Sequence, residues 1–289
     1  MTSGGRKNRP LSGPRPRKEL GQHFLLDEEI AERIVAAMDP AWSDRALEIG
    51  PGRGVLLRFL LKSFQRVTAV EIDSRLQKPL QRTFGGHPGL NLIFDDFLRF
   101  DLGAFIGGDS APVKIVGNVP YALSGTILFH LLDAATDQIQ SGKSMLRSAT
   151  LMLQKEVAQR IAAEPGSRTY GAITVLRALC ADATLLFTVP PTAFSPPPKV
   201  TSAVVRLDFH DRPRFQVNDR LGFNQLVHHV FAQRRKMLKN TLGTFYGIRP
   251  VWQEADFDFT RRPEELSIDQ FVDLFQLLQK TNPNTLEES

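Results

Sequence analysis

The chain has 289 residues, of which 42% are hydrophobic and 23% are charged, a composition typical of a soluble protein with one large domain and one smaller one. Its single cysteine, Cys180, excludes an intrachain disulfide and a metal site built from several thiolates. Because the sequence has no apolar run of about 18 residues and its N-terminus lacks a secretory signal, we expect a cytoplasmic protein that does not span a membrane.

The net charge of +5 is concentrated in one part of the chain. Residues 1–18 contain six basic side chains and no acid, whereas the rest of the chain is almost balanced in charge. A segment of this composition buries too little apolar surface to fold alone, so we predict a disordered basic arm over residues 1–18. Two interpretations stay open, a solubilising leader and an arm that binds the phosphates of a nucleic acid.

From Asp27, which can cap a helix, the apolar periodicity alternates between helix and strand. Helices are predicted over residues 28–38, 55–64, 74–84 and 126–132, and strands over residues 46–49, 67–72, 92–94, 113–116 and 149–153. This alternation predicts parallel βαβ units with helices on both faces of a sheet. The loops that follow the strands then meet at one edge of the sheet, where ligands bind.

The pattern changes after residue 180. Two more strands are predicted over residues 184–189 and 202–209, joined by a proline-rich connector, and three helices over residues 223–231, 234–242 and 268–278. The sequence therefore predicts an α/β domain over residues 19–210 and a small helical domain over residues 211–289.

The run E-I-G-P-G-R-G at residues 48–54 links the first strand of the alternating region to the following helix. Glycines at such a junction permit positive φ and close approach of a ligand. The run lacks the last glycine of the dinucleotide fingerprint G-x-G-x-x-G, and it suits better the amino-acid end of S-adenosylmethionine, which has no pyrophosphate. We predict contacts to this cofactor at Gly50 and Gly52, with a dinucleotide site or a plain turn as alternatives.

Acidic residues follow the next two strands. Glu71 ends an apolar strand about 20 residues after the glycines, where a carboxylate can accept both hydroxyls of a ribose, and Asp73 is the better helix cap. Asp95 and Asp96 follow the third strand, and we favour Asp96 as the acceptor for the adenine amine of the cofactor. Solvated loop acids are the alternative for this pair.

Asn118-Val119-Pro120-Tyr121 follows the fourth strand and addresses a specific chemical problem. The lone pair of an aromatic amine is delocalised into its ring, so the nitrogen is a poor nucleophile. If the Asn118 amide oxygen and a backbone carbonyl accept its two N–H bonds, the lone pair can point at a sulfonium methyl. Pro120 stiffens the turn and fixes its carbonyl, and Tyr121 can stack on the base. No metal is required.

These motifs, in this order, resemble those of the bacterial small-subunit (16S) ribosomal RNA adenine dimethyltransferases. Five further runs match the family, with His23 where asparagine is common; they lie at residues 18–25, 154–160, 165–171, 194–200 and 231–236. The resemblance covers about residues 17–275.

The resemblance implies a Rossmann-like, seven-stranded S-adenosylmethionine methyltransferase fold with a helical C-terminal domain. It implies the transfer of two methyl groups to each of two adjacent adenosines near the 3′ end of 16S ribosomal RNA, in the immature small subunit during ribosome biogenesis. We expect a monomer. Cofactor contacts are expected, by position in the motifs, at His23, Leu25, Gly50, Glu71, Asp96 and Asn118.

The target adenine would lie between Tyr121 and Phe194, and must be unpaired or flipped out to reach them. Arg234, Arg235 and Lys236 would contact RNA. Without the resemblance, Phe194 could be a core residue and the basic run a solvated helix face. Two other functions stay open: a 23S ribosomal RNA adenine N6-methyltransferase of the antibiotic-resistance type, and a non-catalytic ribosome assembly factor. The first is disfavoured by the run at residues 165–171 and by the long C-terminal domain.

Overall fold

A mixed seven-stranded sheet forms the centre of the molecule. The computed structural model describes residues 14–17, 19–245 and 257–281, so most of the predicted basic arm lies outside the described residues. The strands of the large sheet are β2 (Arg45–Ile49), β3 (Arg66–Val70), β4 (Leu90–Ile93), β5 (Val113–Asn118), β6 (Leu146–Gln154), β7 (Ala181–Val189) and β9 (Ser202–Phe209). A separate two-stranded ribbon consists of β1 (Phe24–Leu25) and β8 (Phe194–Ser195).

The strand order of the large sheet is β4-β3-β2-β5-β6-β9-β7. Strands β2 to β6 pair in parallel, and β9 pairs antiparallel with both β6 and β7. The sheet thereby confirms the predicted Rossmann-like arrangement. Because β2, β3 and β5 are parallel neighbours, their carboxyl ends lie together at the middle of one edge.

The ten α-helices within the described residues cover the sheet and form the C-terminal region: α1 (Glu28–Ala36), α2 (Val55–Ser63), α3 (Gln77–Phe84), α4 (Leu102–Gly107), α5 (Ser124–Gln140), α6 (Lys155–Ile161), α7 (Ala172–Ala178), α8 (Arg220–Ala232), α9 (Leu238–Phe245) and α10 (Ile268–Thr281). The Asp27 side chain accepts the Ile30 amide, which confirms the predicted cap of α1. None of the described helices is long and apolar enough to cross a membrane.

Alternate residues of the central strands face two different cores. Leu47 and Ile49 of β2 pack into a core with α4 and α5, whereas Ala46 packs with α1 and α2. Because successive side chains of a strand point to opposite faces of the sheet, Glu48 lies on the same side as Ala46. By the same alternation, Val116 of β5 lies in the core of α1 and α2, and Asn118 shares its side.

The helical region has its own apolar core, built mainly from α8, α9 and α10. Tyr170 and Val175, which precede β7, also belong to this core, and the Tyr170 hydroxyl donates to the Leu266 carbonyl at 2.9 Å. The core of the helical region thus includes residues on the N-terminal side of the predicted boundary at residue 210.

The helix predicted over residues 234–242 is present as α9, but it begins four residues later than predicted. Helix α8 ends at Ala232 and α9 begins at Leu238, so the basic cluster lies in the turn between them. This segment makes tertiary contacts instead: the Arg234 side chain donates to Glu264 and to the carbonyls of Ser167 and Arg168. The Leu238 and Lys239 amides donate to the carbonyls of Arg261 and Phe259 rather than to the preceding turn.

Candidate active site

A cavity opens where the carboxyl ends of β2, β3 and β5 meet. Its empty volume is about 820 Å³ when the open space at its mouth is counted. Eight of the predicted catalytic and cofactor-binding residues line it: His23, Leu25, Gly50, Gly52, Glu71, Asn118, Pro120 and Tyr121. The tertiary structure thus brings together residues that lie up to about a hundred positions apart in sequence.

The glycine turn forms one wall of this cavity. Gly52 and Gly54 have φ angles of 56° and 78°, in the left-handed region that glycine adopts without strain. A Cβ on Gly52 would lie 3.0 Å from the Phe24 ring, and a Cβ on Gly54 would lie 2.4 Å from the Phe84 ring. The turn therefore requires glycine both for its backbone conformation and for close packing.

The Glu71 carboxylate is fixed by two backbone amides. Oε2 accepts the Gly52 N–H at 2.9 Å, and Oε1 accepts the Asp73 N–H at 2.8 Å. Burial raises the pKa of Glu71, and these two hydrogen bonds oppose the rise. The glycine turn and the end of β3 are thereby tied together, with a carboxylate in a single orientation between them.

Asp73 has a structural role, as predicted. Its side chain accepts the Arg75 amide and caps the short 3₁₀ turn Ser74–Leu76. The hydrogen bond from the Arg75 side chain lowers the pKa of Asp73 to about 2. Gln22 also donates to this carboxylate at 3.0 Å, so Asp73 anchors the N-terminal segment beside the cavity.

The N-terminal segment over residues 20–25 closes one side of the cavity. Pairing of β1 with β8 holds its end, with Phe24 opposite Ser195. The His23 Nδ1 lies 2.7 Å from the Pro196 carbonyl oxygen, and because a carbonyl only accepts, this nitrogen is the donor. Sequence analysis did not predict this ribbon, since two-residue strands leave no periodic signal.

The Asn118 amide is oriented by the same segment. Its Nδ2 donates to the His23 carbonyl at 2.8 Å, and Oδ1, the acceptor of the side chain, has no partner among the residues that the structure describes. The Pro120 carbonyl already accepts the Leu123 amide at 3.0 Å. The Val119 carbonyl receives no hydrogen bond from the described residues, so it is the more available backbone acceptor of the turn.

Tyr121 stands at the cavity with its ring and hydroxyl both positioned. The hydroxyl lies 2.6 Å from the Ser202 Oγ, and partial burial raises the pKa of Tyr121. The rings of Tyr121 and His23 are stacked, with centroids 5.7 Å apart and planes inclined by 28°. One face of the tyrosine is thus covered by His23, and the ring lines the cavity.

Two predicted site residues do not line the cavity. The Asp96 carboxylate accepts the Leu98 amide at 2.9 Å within its own loop. Phe194 is 4% exposed and packs in the core of α1 and α2, so stacking on a base would require its ring to move out. The proposed contacts of Asp96 and Phe194 with ligands stay predictions.

Glu48 lines the cavity, although sequence analysis gave it no role of its own. The side chain is 1% exposed, and its Oε2 is buried without a hydrogen-bonding partner among the described residues. Burial, with a contribution from the neighbouring Glu71 charge, raises the pKa of Glu48 to about 8. An acid at the penultimate position of a buried strand, two residues before the first glycine, is the sequence signal that could have singled it out.

A second, open groove lies in the helical region. Its basic side chains are Arg168, Arg234, Arg235 and Arg262. Arg234 is engaged by Glu264 and by two carbonyls, whereas the exposed Arg235 and Lys236 side chains have no partner within the described residues. Of the three predicted RNA-contacting residues, Arg235 and Lys236 are therefore accessible to a ligand, whereas Arg234 is engaged in contacts within the protein.

Comparison with known proteins gives the family. A model of the ribosomal RNA adenine dimethylase family matches residues 13–280. The chain belongs to this family. The dimethylase is also 40% identical over 272 residues to "Ribosomal RNA small subunit methyltransferase A" of Xanthomonas oryzae pv. oryzae (strain PXO99A), a match that covers 92% of this chain and 97% of the relative. A protein of the same name from Magnetococcus marinus is 43% identical over 263 residues and is covered over 91% of both chains.

Solved structures agree with the fold of the dimethylase. The crystal structure of the 23S rRNA methyltransferase ErmE matches with a TM-score of 0.68 and 26% identity, covering 89% of this chain and 99% of ErmE. A dimethyladenosine transferase from Plasmodium falciparum matches with a TM-score of 0.69 and 24% identity, covering 90% of this chain and 98% of that one. The second match, at this identity, supports the fold alone.

Proposed function

We propose that this dimethylase transfers methyl groups from S-adenosylmethionine to the N6 amine of adenosines in small-subunit ribosomal RNA. The observation that carries the proposal is the Asn118 turn, whose amide oxygen and neighbouring carbonyl are free acceptors at the edge of the cavity. Relatives named small subunit methyltransferase A, similar over more than nine-tenths of their length, support the choice of RNA.

The cavity fits the proposed cofactor chemically. A ribose offers two hydroxyl donors, and the Glu71 carboxylate is held rigidly with lone pairs still free. Gly50 and Gly52 line the cavity without side chains, so a ligand can approach the backbone of the turn closely. When bound, S-adenosylmethionine supplies an electrophilic methyl group on a sulfonium.

The turn after β5 prepares the acceptor nitrogen. Asn118 Oδ1 accepts one N–H of the adenine amine and the Val119 carbonyl accepts the other, which favours a pyramidal nitrogen with its lone pair directed away from the ring. The hydrogen bond from Asn118 to the His23 carbonyl fixes the amide before the substrate arrives. Such preorganised dipoles need no reorientation during the reaction.

The base itself is held by stacking. The face of Tyr121 that His23 leaves uncovered receives the adenine, and the hydrogen bond to Ser202 fixes the ring. A base inside a duplex cannot reach this position, so the target adenosine is unpaired or extruded.

The basic groove of the helical region supports binding of an RNA backbone. Arg235 and Lys236, with Arg168 and Arg262, would contact phosphates, while Arg234 holds the groove together. Such contacts contribute affinity without reading base sequence.

In its full form, the proposed reaction adds two methyl groups to each of two adjacent adenosines near the 3′ end of 16S ribosomal RNA. The substrate is the immature small subunit, and the protein acts in the cytoplasm as a monomer.

Mapping the modified nucleotides tests this function. Purified protein is incubated with S-adenosylmethionine and undermethylated small subunits, and modified positions are located by primer extension and mass spectrometry. We expect two adjacent dimethyladenosines in 16S RNA. Modification confined to 23S RNA would favour the antibiotic-resistance type of activity, and cofactor binding without any dimethyladenosine would favour an assembly factor.

A further inference from the structure

His23 contacts both side chains that the proposed function assigns to the target base. Its main-chain carbonyl accepts the Asn118 Nδ2–H at 2.8 Å, and its imidazole stacks on the Tyr121 ring with centroids 5.7 Å apart. The first contact orients the Asn118 amide, and the second covers one face of Tyr121. One residue of the N-terminal segment therefore holds the hydrogen-bonding group and the stacking group together.

The chain that leads from β8 into β9 holds both aromatic rings. Its Pro196 carbonyl accepts the His23 Nδ1–H at 2.7 Å, and its Ser202 hydroxyl lies 2.6 Å from the Tyr121 hydroxyl. Ser202 is fully buried, and three consecutive prolines at residues 196–198 restrict the backbone before it. The imidazole and the phenol are thus attached to the same stiff segment, which restricts the two rings relative to each other.

We propose that His23 is a positioning residue for the target adenosine, because its side chain holds the Tyr121 ring in the orientation on which the base stacks. This inference rests on the proposed function. An imidazole suits the role because it combines a flat ring with an N–H donor at its edge. The ring stacks on Tyr121 while the N–H group holds the Pro196 carbonyl. Without these contacts Tyr121 can rotate, and the adenine amine then meets the methyl donor in line less often.

This role differs from a contact between the His23 side chain and the cofactor, which the position of His23 in its motif predicts. A contact with the cofactor would change the Kd of S-adenosylmethionine. Orientation of Tyr121 instead changes the rate of methyl transfer when the protein is saturated with cofactor and with RNA. The hydrogen bond from Asn118 goes to the main-chain carbonyl of residue 23, so it is kept in every variant of the His23 side chain.

Three substitutions separate the ring of His23 from its N–H group. His23→Phe keeps a ring but has no donor for the Pro196 carbonyl, His23→Asn keeps a donor but has no ring, and His23→Ala has neither. We expect His23→Ala to lower single-turnover transfer of labelled methyl groups to undermethylated small subunits by about 5- to 50-fold, and the other two variants to lower it by less. The Kd of S-adenosylmethionine, measured by calorimetry, should stay unchanged in all three.

A double-mutant cycle tests whether His23 acts through Tyr121. The effect of His23→Ala on single-turnover transfer is measured in the wild-type protein and in Tyr121→Ala, at saturating cofactor and small subunits. In the second background the imidazole has no phenol ring to orient, so His23→Ala should lower the transfer rate there by less than about twofold. An equal fall in both backgrounds would overturn the proposal.

The matched control is His87→Ala, because His87 is exposed after α3 and does not line the cavity; it should leave both the transfer rate and the Kd unchanged. A raised Kd of S-adenosylmethionine in His23→Ala, with wild-type transfer at saturation, would assign the imidazole to the cofactor and overturn the proposal. Wild-type transfer by His23→Ala contradicts the role of His23 alone, whereas failure of the wild-type protein to form dimethyladenosine contradicts the proposed function.

Discussion

Asn118 has two proposed roles: it accepts a hydrogen bond from the target amine, and it links the turn after β5 to the N-terminal segment. The effects of Asn118→Ala on methyl transfer and on cofactor binding distinguish these roles. The change removes the acceptor of the target amine, and loss of one preorganised hydrogen-bonding group at a reacting centre costs about 10²–10³ in kcat. It also removes the 2.8 Å hydrogen bond to the His23 carbonyl. Because His23 is only partly buried, water can replace that bond, and the cost of about 0.5–1.5 kcal/mol raises the Kd of the cofactor by no more than about tenfold.

The assay follows both quantities for Asn118→Ala. Single-turnover transfer of labelled methyl groups to undermethylated small subunits gives the chemical step, and calorimetry gives the Kd of S-adenosylmethionine. Asn91→Ala is the matched control, since Asn91 is exposed on β4; it should change neither quantity. If Asn118→Ala retained the wild-type transfer rate at saturating cofactor, the proposed activation of the amine by Asn118 would be refuted.

Four further variants test the turn, the groove and the cap. Gly54→Ala is expected to lose about 2–5 kcal/mol of unfolding free energy, from left-handed strain and a clash with Phe84, measured by urea denaturation. Arg234→Ala should destabilise the protein by about 1–3 kcal/mol, whereas Arg235→Ala should leave stability unchanged and lower the slope of log K against log salt for RNA binding by about 0.7–0.9. The pKa of Asp73 in the folded protein is lowered to about 2. Its carboxylate therefore stabilises the fold above the unfolded pKa near 4, and this contribution is lost as the pH falls towards 2. Asp73→Asn should lower the free energy of unfolding at pH 6 but change it little at pH 2.

Each variant has an outcome that contradicts its reasoning. A Cβ added to Gly86 would have no other atom within 4 Å, so Gly86→Ala is the control for Gly54→Ala. Equal losses of unfolding free energy in the two variants would contradict the proposed clash with Phe84. If the slope of log K against log salt for RNA binding fell more in Arg234→Ala than in Arg235→Ala, Arg234 would be a phosphate contact. An effect of Asp73→Asn that is the same at both pH values would show that the charge of Asp73 is not what stabilises the fold.

Local sequence patterns were sufficient to predict the βαβ alternation and the residues that follow each strand. Parallel strands direct their carboxyl ends to one edge, so Gly50, Glu71 and Asn118 could be placed together before any contact was known. Order and spacing also carried the family resemblance that the comparisons confirm. Local periodicity was equally adequate for long helices such as α10, whose first residue was predicted correctly.

What the sequence could not determine depends on contacts between distant segments. The β1–β8 ribbon joins residues separated by about 170 positions, and two-residue strands have no periodicity of their own. The orientation of the Asn118 amide depends on the His23 carbonyl, and Arg234, between α8 and α9, is held by Glu264, about 30 positions away.

Burial likewise is a property of the fold rather than of the residue type. It placed Phe194 in the core and left Glu48 at the cavity without a partner. The sequence by itself thus determined the sheet, the edge at which the site lies and the family. Only the tertiary structure decided which side chains are oriented and which are engaged elsewhere, because each depends on atoms brought together by folding.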